Sequence, residues 1–276
     1  MDVIESHVSR LPHMDDRWNP QPFDRRNLVR GLVDGGIAGP MVGHPMENVL
    51  GNIRRLLDGD EDKLFGMSGL AGAMTPDGVL GLVGRAAGFE PDPEWTSGPV
   101  PVDPNLVLDG CEAVGDRLAL ACRRRERMIL ATGHPVGLAH LYVEVGRQLR
   151  RRGAELLQPY EGVPWSEEGG HELREVRFLE GVAMLADQAS MRHTHSGAPM
   201  FRMLRVASPD LVFADHGFAG AAIESGVETL SIADVNDPAL LVAKAQGRTQ
   251  AVIVMDDNVQ PEDYWPCFQA ICARLP

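Results

Sequence analysis

The sequence predicts an α/β fold, a Rossmann-like three-layer sandwich with a mostly parallel sheet, preceded by a helical N-terminal region. Three short stretches carry this prediction. Residues 211–214 and 230–233 are apolar runs too short for helices, and residues 218–225 between them have helical spacing that stops at Gly226. A strand, a helix and a second strand in this order form the crossover unit that joins parallel strands.

A change of pattern near residue 126 predicts two parts, a mostly helical region over residues 1–126 and a Rossmann-like domain over residues 127–276. Residues 1–27 combine three prolines with many charges, which indicates an irregular lead-in. We expect the first part to add no strand to the centre of the sheet, because its apolar periods are helical. Its predicted helices lie near residues 27–33 and over 46–57, 77–87 and 105–125, separated by Gly- and Pro-rich connections over 35–45 and 89–104.

Strands and helices alternate after residue 127, as expected for a parallel sheet covered on both faces. The segment 173–186 is predicted to be extended and to turn at Gly181. Pro135 is predicted to open a helix, and Asp237 to cap the N-terminus of the helix that follows it. The predicted strands are 128–131, 154–158, 211–214, 230–233 and 252–255, and the predicted helices are 135–149, a short one ending near 206, 218–225, 238–246 and one after Pro266.

Composition restricts the partners. The chain has 276 residues, a formal net charge of −13 and a pI near 5.1, which argues against nucleic acid or an anionic membrane as a partner. The first residues lack an apolar signal segment, and no run of about 18 apolar residues occurs, so we expect a cytoplasmic protein. A homo-oligomer is one open alternative for its assembly.

The four cysteines are predicted to be buried free thiols in a reducing compartment. None of them forms the C-x-x-C pair that structural zinc sites prefer.

Polar clusters follow four of the predicted strands, at residues 132–134, 215–216, 234–237 and 256–257. In open α/β sheets, ligands bind beyond the carboxyl ends of the strands. We therefore expect His134, His193 or His195, Asp215 and Asp234 to surround one cleft. The pair at 256–257 is either a further set of acidic ligands or a solvated turn.

Thr132, Gly133 and His134 are predicted to bind an anion. They lie between a strand and a predicted helix N-terminus, where backbone N–H groups and the helix dipole favour a phosphate or carboxylate. The alternative is that His134 only caps the helix. The tripeptide of Gly133, His134 and Pro135 recurs around His44, where no strand precedes it, and we interpret that repeat as coincidence.

His193 and His195 are two positions apart, so on an extended segment they face the same way and could share a metal ion. With Asp215 and His216 they form a ligand set suited to Zn, Mn or Fe. The same groups could act without a metal, with His195 as general acid or base oriented by Asp215. Arg192 would then neutralise an anion.

Two further positions are predicted to bind the ligand, Ser196 beside the paired histidines and Asp234 at a strand end. Asp234 also suits magnesium, which prefers carboxylate oxygens.

Several of these segments, taken together, resemble a group of actinobacterial proteins labelled phosphatases. They are T-G-H-P at 132–135, H-T-H-S at 193–196, D-H-G at 215–217 and residues 233–240, followed by the aspartates at 256–257. The resemblance covers residues 127–276 and implies that the histidine and aspartate motifs belong to one site. The paired D-x-D opening of haloacid-dehalogenase phosphatases is missing, so no aspartyl-phosphate mechanism is implied.

The favoured function is hydrolysis of a small phosphorylated metabolite, assisted by a divalent metal or by the histidines alone. His195, Asp215 and His216 are the predicted catalytic residues. One alternative is a sugar-phosphate isomerase or lyase that uses the same anion site. Another is a non-catalytic protein that binds a phosphorylated or nucleotide ligand.

Overall fold

The predicted sheet is present, and its central strands are parallel. The computed structural model describes residues 24–72, 74–92, 94–166 and 172–276. Nine strands form one sheet in these ranges: β1 (Arg127–Ala131), β2 (Glu155–Leu156), β3 (Trp165–Ser166), β4 (Leu173–Leu179), β5 (Val182–Asp187), β6 (Ser190–Arg192), β7 (Leu211–Asp215), β8 (Thr229–Ala233) and β9 (Ala251–Val254).

The α-helices of the described residues comprise four before the sheet, one long helix leading into it and five after its first strand. They are α1 (Arg25–Asp34), α2 (Met46–Leu57), α3 (Glu61–Leu64), α4 (Pro76–Ala87), α5 (Pro104–Arg124), α6 (Ala139–Arg151), α7 (Ala198–Leu204), α8 (His216–Glu224), α9 (Ala239–Ala245) and α10 (Trp265–Cys272).

The strand order changes direction at β1. The sheet runs β3-β4-β5-β1-β7-β8-β9, with β5, β1, β7, β8 and β9 parallel and β4 antiparallel to β5. The chain places β5 on one side of β1 and then crosses to place β7 on the other side. A crevice opens at such a switch point beyond the carboxyl ends of the strands. The fold therefore puts the ends of β1 and β7 at the position where α/β proteins bind ligands.

Helices cover both faces of the sheet, which confirms the predicted three layers. Helices α5, α6 and α10 pack together on one face, while α8 and α9 cover the other with α7 beside them. Every residue of β7 and β8 is buried, which explains their continuous apolar sequences. Phe213 on β7 is fully inaccessible, and burying such a side chain contributes about 1.5–3 kcal/mol. Helix α4 packs against α9, and α2 packs against α3 and α4.

The N-terminal helices form where apolar spacing predicts them, and the sequence missed the one-turn α3. Among the described residues before β1, none joins the sheet, and only the isolated bridges Gly39–Val102 and Pro45–Pro99 are extended pairs. Most of the predicted lead-in lies outside the described residues, as do residues 167–171. One buried apolar cluster contains side chains from both sides of residue 126, and the division into two domains stays a prediction.

One predicted helix start and one predicted helix cap are wrong. Residues 135–138 form turns, so α6 begins at Ala139 and not at Pro135. Helix α9 begins after Pro238, and no side chain caps it. Asp237 does not serve as its cap because its carboxylate pairs instead with Lys63, 3.0 Å away. A buried ion pair across the fold has replaced the local hydrogen bond.

The four cysteines are buried and unpaired, as predicted. Within the described ranges, no helix combines the length and the apolar character that crossing a membrane requires.

Candidate functional site

A cavity of about 250 Å³ lies beyond the carboxyl ends of β1, β7, β8 and β9, with α2 and α3 as its opposite wall. We call it the histidine cleft. Its lining residues are His44, Asn48, Asn52, Arg55, Lys63, His134, His193, His195, His216, Asp234, Asn236, Asp237, Asp257 and Asn258.

Two glycines allow the segment with the paired histidines to lie between the ends of β1 and β7. The Thr194 N–H donates to the Gly133 carbonyl, 3.1 Å away. A Cβ on Gly133 would overlap the Thr194 carbonyl oxygen, and a Cβ on Gly217 would overlap the backbone of His195 and its neighbour. Only glycine permits such a close approach of two backbones. The T-G-H, H-T-H and D-H-G segments therefore interlock.

Four imidazole rings meet in the cleft as two stacked pairs. The ring centroids of His134 and His193 are 4.3 Å apart, and those of His195 and His216 are 4.8 Å apart. Phe65 contacts both members of the second pair, and its ring centroid lies 5.2 Å from that of His195 and 5.2 Å from that of His216. The aromatic side chain limits the movement of these two imidazoles, so their ring nitrogens are held in place.

His216 occupies the centre of this group and has a strained backbone, with φ of 44°. Its Nδ1 lies 2.8 Å from Asp215 Oδ1, which also accepts a 2.7 Å hydrogen bond from the Gly133 N–H. Its Nε2 is thereby directed into the cleft, 3.7 Å from Asp237 Oδ2 and 3.6 Å from Asp257 Oδ2. A carboxylate behind a histidine fixes the orientation of metal-binding imidazoles in many proteins.

Two groups of three side chains could each hold a metal ion. The first is His134, His193 and His216, and the second is His195, His216 and Asp237. In each group the ligand atoms lie within 4.8 Å of one another. The paired histidines thus face the same cleft, as predicted, but belong to different groups.

Asp257 is a buried carboxylate that points at the imidazoles. Its Oδ2 lies 3.6 Å from His134 Nδ1, and no hydrogen-bond donor of the described residues reaches that oxygen. The alternative of a solvated turn is therefore wrong for this residue. Asp256 is also buried, and its carboxylate accepts hydrogen bonds from the N–H groups of Gly43 and Asn258.

The helical wall of the cleft supplies amides and cations. Lys63 on α3 is 6% exposed, and its Nζ lies 3.0 Å from Asp237 Oδ1. Asn52 on α2 donates to the Asn236 carbonyl at 3.0 Å. Arg55 lines the cleft one turn further along the same helix. These side chains bring positive charge towards the histidines.

The glycine-rich connection before α2 adds another histidine. His44 Nε2 lies 3.1 Å from Asp234 Oδ2, and this hydrogen bond raises the pKa of His44. His44, which the sequence did not assign to the site, therefore lines the cleft. A hydrogen bond between the backbone of Gly43 and Asp256 brings His44 to the strand ends although no strand precedes it.

The imidazoles divide by charge. Burial, reinforced by the positive charge of His216, lowers the pKa of His134 to about 3 and that of His195 to about 4, and it also lowers the pKa of His193. Burial alone would lower the pKa of His216 too, but the charges of Asp257 and Asp215 outweigh it and raise that pKa. These shifts favour neutral imidazoles with available lone pairs at His134, His193 and His195, and a proton on His216 that a metal ion bound to its Nε2 would displace.

Comparison with known proteins connects this geometry to a family. The family model described as Phosphatase matches residues 23–275. The chain belongs to the Phosphatase family. A Streptomyces coelicolor protein named as a phosphatase is 36% identical over 252 residues, which cover 89% of this chain and 94% of that protein. No solved structure matches the chain.

Three of the predicted site residues of this Phosphatase-family chain support the cleft from behind. Asp215 is fully buried behind His216. Thr132 Oγ1 accepts a 2.9 Å hydrogen bond from the His134 N–H, and the N–H of Gly133 is used by Asp215. The helix N-terminus that was expected beside His134 lies at Ala139, so the predicted anion site has no helix dipole at that position.

Two predicted residues lie outside the cleft lining. Arg192 is about half exposed on β6, and its Nε lies 3.1 Å from an oxygen of Asp187. Ser196 lines a neighbouring groove, and its hydroxyl accepts a hydrogen bond from the Ala198 N–H. The cations that do line the cleft are Arg55 and Lys63.

Two kinds of lining residue were not assigned to the site from the sequence. Asp237 was interpreted as a helix cap, and Asp257 was left between two alternatives, an acidic ligand or part of a solvated turn. Asn52, Arg55 and Lys63 carry no local signal, because their spacing is that of any amphipathic helix.

Proposed function

We propose that this chain hydrolyses phosphate monoesters of small metabolites in the histidine cleft, assisted by a divalent cation held by His195, His216 and Asp237. The observation that supports it best is the convergence of these ligand atoms within 4.8 Å, beside the ammonium group of Lys63. Metal ligands next to buried cations suit a phosphate group, which needs both kinds of partner.

The donor set fits a metal ion. Asp62 Oδ1 lies 3.0 Å from His195 Nδ1, so the other ring nitrogen of His195 remains available to bind a metal ion. His216 is held in the same way by Asp215. Both imidazoles therefore carry the carboxylate partner that is usual behind metal-bound histidines.

The charge of the cleft also favours a cation. The carboxylates of Asp215, Asp234, Asp237 and Asp257 are buried in or beside it, and Lys63 is the buried ammonium group among the described lining residues. Buried charges are stable only when they are paired or bind a metal.

The bound ion would polarise a phosphoryl oxygen and lower the pKa of a water molecule. Lys63 and Arg55 would bind the other phosphoryl oxygens, and Asn52 would orient them. The water oxygen would lose a proton to solvent and bond to phosphorus, the ester P–O bond would break, and the leaving alcohol oxygen would take a proton. His44, which lines the cleft and whose pKa is raised by its hydrogen bond to Asp234, would supply that proton in its protonated form.

The surroundings support a small organic leaving group. A second groove of about 590 Å³ shares His195 with the cleft and has Leu64, Met67 and Phe201 in its wall. An organic group lying there would place its phosphate at the histidines. The rival functions, a sugar-phosphate isomerase or lyase and a ligand-binding protein, use the same anion contacts without releasing phosphate.

The test measures phosphate release from a panel of phosphorylated metabolites, with and without a chelator. We expect the chelator to abolish release, and His195→Ala to reduce it by about 100-fold or more while the melting temperature changes little. His140→Ala is the matched control, because this histidine lies on α6 outside the cleft lining. If wild type and His195→Ala bind a phosphorylated ligand equally tightly and neither releases phosphate, the binding-protein alternative replaces hydrolysis.

A further inference from the structure

We infer that the histidine cleft holds two divalent cations side by side, the second one bound by His134, His193 and Asp257. The inference rests on the proposed function for the first ion, which His195, His216 and Asp237 would hold. It assigns a metal-binding role to three side chains that have no role in hydrolysis with one ion.

The two candidate groups cannot both be complete with His216 as a shared ligand. Its Nδ1 is occupied by Asp215 at 2.8 Å, so only Nε2 is free to bind a metal. One imidazole nitrogen carries one lone pair and binds one ion. If His216 serves the ion beside Asp237, then His134 and His193 require a third ligand of their own.

Asp257 provides that ligand. Its side chain is 2% exposed, and its Oδ2 lies 3.6 Å from His134 Nδ1 and 3.6 Å from His216 Nε2. Neither this oxygen nor His134 Nδ1 has a hydrogen-bond partner among the described residues. A buried carboxylate oxygen without a donor is costly, and coordination of a cation removes that cost. The oxygen faces one imidazole from each group, which is the position of a carboxylate between two ions.

The spacing suits a pair of ions. Two-metal hydrolytic sites hold their ions about 3.5–4 Å apart and stabilise both the attacking and the leaving oxygen of a phosphoryl group. The rings of His134 and His216 are 4.5 Å apart between centroids, and those of His193 and His195 are 4.9 Å apart. Each of these two pairs joins an imidazole assigned to the first ion with one assigned to the second, so the two ions would occupy adjacent positions in the cleft.

The experiment counts metal ions directly. Metal-free protein is titrated with Mn²⁺, and bound metal is measured after equilibrium dialysis on wild type, His193→Ala, Asp237→Asn and the control His140→Asn. We expect two equivalents in wild type and in the control, and one equivalent in each of the other variants. Electron paramagnetic resonance should show a spin-coupled Mn²⁺ pair in wild type and an isolated Mn²⁺ ion in His193→Ala.

Two results would overturn the inference, namely saturation of wild type at one equivalent or loss of all bound Mn²⁺ in both cleft variants. Circular dichroism on each variant separates loss of a ligand from loss of the fold, and Asp257→Asn provides an isosteric second test that should also retain one equivalent. The outcome is independent of phosphate release. If the protein binds two ions but releases no phosphate, the two-ion inference holds and hydrolysis is rejected. If it releases phosphate with a single bound ion, hydrolysis holds and the two-ion inference is rejected.

Discussion

The two walls of the histidine cleft are built differently. The wall formed by the strand ends presents short, rigid side chains, and their imidazoles and carboxylates support one another through rings and hydrogen bonds. The wall formed by α2 and α3 presents long or amide side chains such as Lys63, Arg55 and Asn52, which reach across from helices. Rigid groups suit metal binding, which requires fixed geometry, and longer groups suit an incoming phosphate.

This difference predicts that substitutions in the two walls have different effects on metal binding and substrate binding. Damage to the strand-end wall should remove metal and turnover together. Damage to the helical wall should weaken substrate binding and leave the metal in place. The variants His216→Asn, Lys63→Met and Glu224→Gln test that separation.

The largest effect is expected for His216→Asn in the strand-end wall. His216 offers its free Nε2 to the ion beside Asp237, so its loss should lower turnover of a phosphate monoester by about 1000-fold or more and remove that ion from the protein. Steady-state phosphate release and metal content measure the two effects, and His140→Asn serves as the control. Retention of most of the activity by a folded His216→Asn protein would contradict the assignment of metal binding and turnover to the strand-end wall.

A smaller effect is expected for Lys63→Met in the helical wall. Removing the ammonium group should raise KM for a phosphate monoester about 10-fold or more, because a charge-assisted contact to phosphate is lost in both the ground state and the transition state. Metal content should remain at the wild-type level, since Lys63 is not a ligand. Lys244→Met on α9 is the matched lysine control. Loss of metal without a change in KM would show that Lys63 only holds Asp237 in place.

The smallest effect is expected where the helical wall is tied to the sheet. Glu224 on α8 accepts hydrogen bonds from the Ser68 N–H and hydroxyl and pairs with Arg248. Glu224→Gln should lower the free energy of unfolding by about 1 kcal/mol, since the pair is partly exposed. Turnover and metal content should not change. Urea denaturation measures the loss.

The pH dependence of that loss follows from the pKa of Glu224. Burial alone would raise this pKa, but the hydrogen bonds from Ser68 and the charge of Arg248 outweigh it and lower the pKa in the folded protein. The stabilisation is therefore complete above the unfolded pKa of 4.5 and is lost as the pH falls through the folded pKa. The difference between wild type and Glu224→Gln should shrink below pH 4.5, and a constant difference across this range would contradict the assignment.

Most of the fold was predictable because its signals are local. The alternation of short apolar runs with helical periods predicted the parallel strands, and the turn at Gly181 appears as expected between β4 and β5. The strand-end rule predicted that His134, His193 or His195, Asp215 and Asp234 would surround one cleft. The structure brings the three histidines and Asp234 to its lining, and Asp215 lies buried behind His216. The metal-binding and catalytic roles of these residues stay predictions.

Local rules failed where side chains find partners outside their own element. By the capping rule Asp237 was predicted to be an N-cap, yet its carboxylate pairs with Lys63, which is 174 positions away in the sequence. Arg192 had a suitable charge beside the paired histidines, yet the pairing of β6 with β5 places it beside Asp187.

The sequence by itself determined the type of sheet, the edge at which a ligand would bind, and the imidazoles present there, because periodicity and strand ends depend on neighbouring residues only. The tertiary structure alone decided which cations face those imidazoles and which carboxylates remain without a donor. Lys63, Arg55 and His44 reach the cleft through the packing of α2 and α3 and the hydrogen bond from Gly43 to Asp256. Such contacts leave no periodic trace in the chain, since they depend on how whole elements pack and not on the order of residues within one.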